Sequence, residues 1–255
     1  MFQEERLLSI LDYLEKNRKI TIPEICELFD VSKDTARRDL IKLQERNAII
    51  RTHGGALLPS RQYEVQGFHE RESIESSIKE KIGKKATAFV NDHDHLLMDA
   101  STTVQNLAKF LTATNITVVT NSIDLASILL DNEETTVYLP GGKLHPKYRH
   151  LYGPSTIEKI KEYRANKVFM GVSGITSEGL FYKNEDDGAT IREMIARSEQ
   201  VIVLADHTKF GKQLFYRVCG LEKIDILITD KIPDENLAMK LSELKVQVVT
   251  VEEDR

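Results

Sequence analysis

Cysteine is scarce: Cys26 and Cys219 are the two in 255 residues. Both sit in apolar surroundings in distant stretches, which predicts buried free thiols in a reducing cytoplasm rather than a disulfide framework. Neither has the partner spacing of a metal site, and Asp92-His93-Asp94-His95, which does contain ligand types, reads as a solvated loop before a strand. No run of apolar residues approaches a membrane span, and the first residues lack a signal-peptide core. A G-x-G-x-x-G fingerprint, a Walker lysine loop and a nucleophile elbow are all missing, which leaves nucleotide binding and serine hydrolysis without support. Positive charge is in deficit too, with a net −5. As a sum that argues against nucleic acid, but the distribution reverses the argument. Residues 1–30 hold four cations against seven anions, whereas residues 31–61 hold seven against three.

That basic window contains Val31-Ser32-Lys33-Asp34-Thr35-Ala36-Arg37-Arg38-Asp39-Leu40. Ser32 is suited to cap a helix, and Ala36, Leu40 and Leu43 recur on one apolar face. The other face carries Lys33, Thr35, Arg37 and Arg38 in the first turns, which suits entry into a major groove. Before it, Thr21 and Pro23 open a helix with a stripe of Ile22, Ile25, Cys26 and Phe29, and only Asp30-Val31-Ser32 links the two. An earlier amphipathic run, Glu4 to Asn17, adds a third helix. Ala48 to Leu57 predicts a hairpin with Gly54-Gly55 at its tip. Three helices and a wing make a winged helix-turn-helix.

Residues 4–58 resemble the DNA-binding domain of the DeoR family of bacterial transcription repressors through Val31-Ser32, Thr35, Arg37-Arg38-Asp39-Leu40, Leu43 and His53-Gly54-Gly55-Ala56. Ala36 departs from the isoleucine or valine usual before the arginine pair. The expected DNA contacts are Ser32, Lys33, Thr35, Arg37 and Arg38, with Arg51, His53 and Gly54 of the wing.

Domain boundaries are expected at 1–58, a hinge at 59–74 beginning Pro59-Ser60-Arg61, and a second domain over 75–255. In the second domain, short apolar runs at Leu96–Met98, Ile116–Val119, Thr136–Leu139, Lys167–Met170, Val201–Leu204, Ile224–Ile228 and Val246–Val249 alternate with amphipathic segments. That alternation predicts an α/β fold, a mostly parallel, doubly wound sheet. Ligands of such sheets bind beyond the carboxyl ends of the strands. There the sequence gathers Asp99, Ser101, Thr102 and Thr103; Asn121 and Ser122; Gly141 and Gly142; Gly171 and Ser173; and Asp206 and Lys209. Hydroxyls, glycines and helix starts of this kind suit a small polar anion such as a phosphate.

These loops are also similar to the family's effector-sensing domain, whose fold is similar to ribose-5-phosphate isomerase. The matches are Asp99-Ala100-Ser101-Thr102-Thr103, Thr120-Asn121-Ser122, Gly141-Gly142, Gly153-Pro154 and Lys209-Phe210-Gly211. The resemblance implies a repressor relieved by a phosphorylated sugar, with Lys209 on the phosphate and His145 and Glu185 completing the site. No cofactor is implied. It further implies double-stranded operator DNA as partner, a homodimer or homotetramer, and no membrane. Three positions depart from the family: Ser101 replaces a glycine, at a cost if that position needs positive φ; His145 replaces an arginine; Ile191 replaces a lysine. Two rival readings follow. One is a regulator with a degenerate sensor, controlled by another ligand or a protein partner. The other is a sugar-phosphate isomerase carrying a DNA-binding appendage, with Asp99, Glu185 and Asp206 as bases.

Overall fold

A computed structural model describes residues 3–17, 19–45, 48–52, 54–57, 73–74 and 76–251. His53, Arg61 and all but the last two residues of the expected hinge lie outside them. The chain divides into two compact units, Met1–Glu64 and Val65–Arg255.

In the first unit, α1 (Gln3–Asn17) turns Leu7, Ile10 and Leu14 inward at helical spacing. Strand β1 (Lys19–Thr21) leads into α2 (Ile22–Phe29). Thr21 starts that helix with a reciprocal cap: its hydroxyl accepts from Glu24 N, and Glu24 accepts from Thr21 N at 2.7 Å. Asp30 ends it in the left-handed region, φ 50°, and turns the chain sharply into α3 (Lys33–Glu45). Ile25, Ala36, Leu40 and Leu43 close the core from these two helices.

The wing is β2 (Ile50–Thr52) against β3 (Gly55–Leu57), with Thr52 opposite Gly55. The glycine pair does not share one task. Gly54 belongs to the turn and its carbonyl accepts from Ile22 N at 2.9 Å, whereas Gly55 is already in β3. Strand β1 adds to the far side of β3, and a Cβ at Gly55 would lie 2.1 Å from Ile20 O. Close approach of a third strand, not the turn, requires that glycine.

In the second unit, α4 (Ser76–Ala86) precedes β4 (His95–Met98), α5 (Thr102–Lys109), β5 (Thr117–Thr120), α6 (Ile123–Leu129) and β6 (Thr136–Tyr138). After a hairpin, β7 (Lys143–His145) and β8 (His150–Tyr152), come α7 (Pro154–Lys161) and β9 (Ala165–Gly171). The chain continues through β10 (Gly174–Thr176), β11 (Gly179–Tyr182), α8 (Glu185–Ala196) and β12 (Ser198–Leu204). It closes with β13 (Tyr216–Cys219), β14 (Ile226–Thr229), α9 (Glu235–Glu243) and β15 (Gln247–Thr250). All seven expected strands join one parallel sheet, ordered β15-β14-β12-β9-β4-β5-β6. Alternate residues face opposite sides, so Leu97, Val168, Met170 and Val203 fill one core and Met98, Phe169, Ile202 and Leu204 the other.

The chain winds outward from β4 to β6, returns to β9, and winds outward again to β15. The sheet therefore reverses direction between β4 and β9, and loops leaving those two strands must part. Beyond their carboxyl ends lie two further small assemblies, the β7–β8 hairpin and a three-stranded antiparallel sheet β10-β11-β13.

Candidate DNA-facing helix and strand-end cavity

Helix α3 buries one side and exposes the other. Ser32 caps it, accepting from Thr35 N at 3.2 Å, and the Ser32 and Thr35 hydroxyls lie 3.0 Å apart. Lys33, Arg37 and Arg38 are exposed, as is Arg51 on β2. Arg37 makes a loose, solvated pair with Asp34 at 3.7 Å, too weak to hold it from a stronger partner. Behind this face, Asp39 is fully buried. It accepts from Arg6 Nε at 2.6 Å and from Gln3 at 2.9 Å, so α1 grips α3 from its inner side. The Arg6 guanidinium is pushed above its ordinary value chiefly by that hydrogen bond. Arg37, Arg38 and Asp39 are thus one outward pair and one inward anchor, a division that sequence spacing did not reveal.

In the second unit a cavity opens where the sheet reverses. Its walls include Asp99 and Ser101 after β4, Asn121 after β5, and Gly171 to Ser173 at the end of β9. Asp99 ties two of these loops together, since its Oδ1 accepts from Ser101 N at 3.0 Å and Gly171 N at 3.2 Å. Gly171 passes so close to Ser101 that a Cβ there would lie 2.2 Å from the serine hydroxyl. Ser101 itself has φ −78° and caps α5 through Thr103 N at 3.1 Å, so serine costs no strain at this position. Thr102 and Thr103 are buried in the first turn and do not line the cavity.

Asn121 is 5% exposed and exchanges hydrogen bonds with the hairpin: its Nδ2 donates to Leu151 O, and its own carbonyl accepts from Leu151 N. Its side-chain Oδ1 is buried with no hydrogen-bond partner among the described residues. Such an acceptor is costly to leave unfilled and points to a donor supplied from the cavity.

Sequence reasoning missed the opposite walls: Tyr148 and His150 from the hairpin, and Tyr182, Lys183 and Asp187 around the start of α8. Arg149 sets the hairpin, adopting φ 56° and reaching Asp124 at 2.7 Å, which turns the next residue, His150, inward. His150 Nε2 lies 2.9 Å from Asp187 Oδ1. Burial alone would raise the Asp187 carboxyl, but the bond and charge of His150, with the Asn184 amide, outweigh it and hold it below the usual carboxylate value. The signal available in sequence was the run Tyr148 to Tyr152, dense in rings beside a cation. Ile191, read as a lost lysine, does line the cavity.

Several expected residues stand elsewhere, each with a local task. Ser122 is buried and caps α6 through Leu125 N at 3.1 Å. Gly141 and Gly142 have φ 74° and 118°, and Gly141 O accepts from Thr156 Oγ1 at 2.7 Å. His145 stacks on Tyr148 at 4.2 Å, one ring removed from the cavity. Glu185 is exposed in the first turn of α8. Lys209 faces the fully buried Asp206, Nζ to Oδ2 3.6 Å, at the end of β12. Burial would raise the Asp206 carboxyl, but the Lys209 charge and the Thr208 hydrogen bonds keep it below the ordinary value. None of these seven, Asp206 included, lines the cavity. Asp94, in the acidic loop before β4, is committed to Lys167 at 2.5 Å.

Residues 6–62 match the DeoR-like helix-turn-helix domain, and residues 74–231 match the DeoR C terminal sensor domain. The chain is 47% identical to the HTH-type transcriptional repressor GlcR of Bacillus subtilis, covering 100% of this chain and 98% of that protein. It is 30% identical to the glycerol-3-phosphate regulon repressor of Escherichia coli, covering 97% and 99%. Ribose 5 phosphate isomerase A from Neisseria gonorrhoeae aligns over 53% of this chain and 54% of that one, at 14% identity and a TM-score of 0.37.

Proposed function

The chain belongs to the DeoR family, and from that premise we propose a sequence-specific repressor of a sugar-metabolism operon, relieved by a phosphorylated sugar in the strand-end cavity. The observation that carries this reading is the face of α3. Lys33, Arg37 and Arg38 stand exposed on the early turns while Asp39 is pinned to Arg6 behind them. Cations presented on a braced helix are suited to base edges and phosphates of a major groove. A monomer of this kind reads few base pairs, so a homodimer or homotetramer in the cytoplasm is the working form.

The cavity supports the sensing half. Its unfilled Asn121 acceptor calls for a hydroxyl donor, and Ser101, Ser173 and Tyr148 offer further polar partners. The chain acts as a regulator and not as an isomerase: Asp99 and Asp206 spend oxygens on loop amides and a helix cap, and so serve to hold loops. Ligand relieves repression through differential affinity for two arrangements of the repressor.

The test uses DNA enriched by the full-length protein from a random pool. Arg37→Ala and Arg38→Ala each weaken binding to that DNA by about 1–3 kcal/mol where the lost contact was bidentate to a base. Wild-type affinity in both variants at physiological salt would rule out the assigned face.

A further inference from the structure

Among the described residues, two carboxylates and one permanent cation line the cavity: Asp99, Asp187 and Lys183. Both carboxylates are engaged. Asp99 Oδ1 accepts two backbone N–H groups, and Asp187 gives Oδ1 to His150 and Oδ2 to Asn184 at 3.0 Å. Lys183 is different. Its ammonium has no ion pair or hydrogen bond among the described residues. By contrast Lys209, Arg149 and His207, also near the carboxyl edge, each face a carboxylate. The main chain around Lys183 is fixed on both sides. Tyr182 before it donates its hydroxyl to Gly171 O at 2.5 Å, and Asn184 after it caps α8 through Asp187 N at 2.8 Å. A lysine with no ion partner among the described residues, half-buried in a cavity wall on a held main chain, is suited to receive an anion.

We infer that Lys183 holds the anionic end of the effector, while Asn121 Oδ1 on the facing loop accepts from a hydroxyl at its other end. The inference rests on the cavity being the effector site and names the ligand's class: a monosaccharide or short polyol bearing one terminal phosphate. Lys183 thereby takes the role that the sequence pattern gave to Lys209, whose charge is turned toward Asp206.

Isothermal titration of the full-length protein tests this with D-ribose 5-phosphate, D-glucose 6-phosphate and glycerol 3-phosphate as probes, alongside the unphosphorylated compounds. Wild type, Lys183→Met and Lys183→Arg are compared, with the tightest phosphate then titrated against preformed protein–DNA complex. The methionine variant loses at least about tenfold in affinity, roughly 1.4 kcal/mol. It also loses most of the preference for phosphate over the free sugar, and arginine restores both. Methionine binding the phosphate as wild type does, with DNA still released, overturns the role of Lys183 and leaves the sensor reading standing. If no phosphate binds wild type or alters its DNA affinity, the sensor reading fails and takes this inference with it.

Discussion

At the scale of single residues, Asp187 shows how one side chain serves both fold and site. It receives the Asn184 cap of α8 and holds His150 against the cavity. Its carboxyl lies below the usual value because the His150 and Asn184 contacts outweigh burial. A carboxylate depressed in the folded state stabilises the protein above its unfolded value, 3.8, and that contribution disappears as pH falls through the lower folded value. Asp187→Asn is therefore expected to cost about 1.5–3 kcal/mol near pH 7, as for a hydrogen bond to a charged group. The gap to wild type narrows on acidification below about pH 4. Thermal melts of both proteins from pH 7 to pH 3 check it; a constant gap across the range would contradict the assignment. His150 and Asp187 were not legible in sequence, whereas Asp99, Ser101, Asn121, Gly171 and Ser173 were, because those five lie at or just beyond the carboxyl ends of strands, where ligands of such sheets bind. The same rule also selects Gly141, Gly142 and Lys209, which lie outside the cavity's lining. A residue can follow a strand and still be consumed locally, as Gly142 is: a Cβ there would meet Thr156 Oγ1 at 2.1 Å.

At the scale of elements, the seven parallel strands were readable since each carries a short apolar run; the five inner ones are largely buried, while the edge strands β6 and β15 are partly exposed. The short antiparallel pieces were not. β7, β8, β10 and β13 are three or four residues long and pair through contacts that leave no periodicity to read. Those pieces carry or support the cavity's far wall, so half the site lay in the illegible part of the chain. In the first unit both short helices were legible from their caps, but the third wing strand, β1, was not, because its alternation, exposed-buried-exposed, is only three residues long. The bracing of α3 was hidden too, since Arg6 and Asp39 are 33 residues apart. Removing one member of a buried ion pair typically costs about 3–5 kcal/mol. Asp39→Ala should then speed hydrogen exchange in α1 and α3 and weaken DNA binding, although Asp39 touches no groove. Amides of β9 and β12 in the second unit keep their protection. Unchanged exchange in α1 and α3 would show that the pair does not brace the helix.

At the scale of the whole molecule, the two units divide the work of reading DNA and reading a metabolite, and each is built on its own core. Coupling between them is a free energy, commonly about 1–3 kcal/mol, and linkage makes it reciprocal. DNA must weaken the effector by the factor with which the effector weakens DNA. The most direct measurement of the account is the affinity of the full-length protein for its selected DNA, by fluorescence anisotropy, across a titration of sugar and polyol monophosphates at fixed salt. At least one phosphate is predicted to lower that affinity by about 5–150-fold, with its unphosphorylated counterpart inert. DNA affinity unmoved by every saturating phosphate would contradict the account.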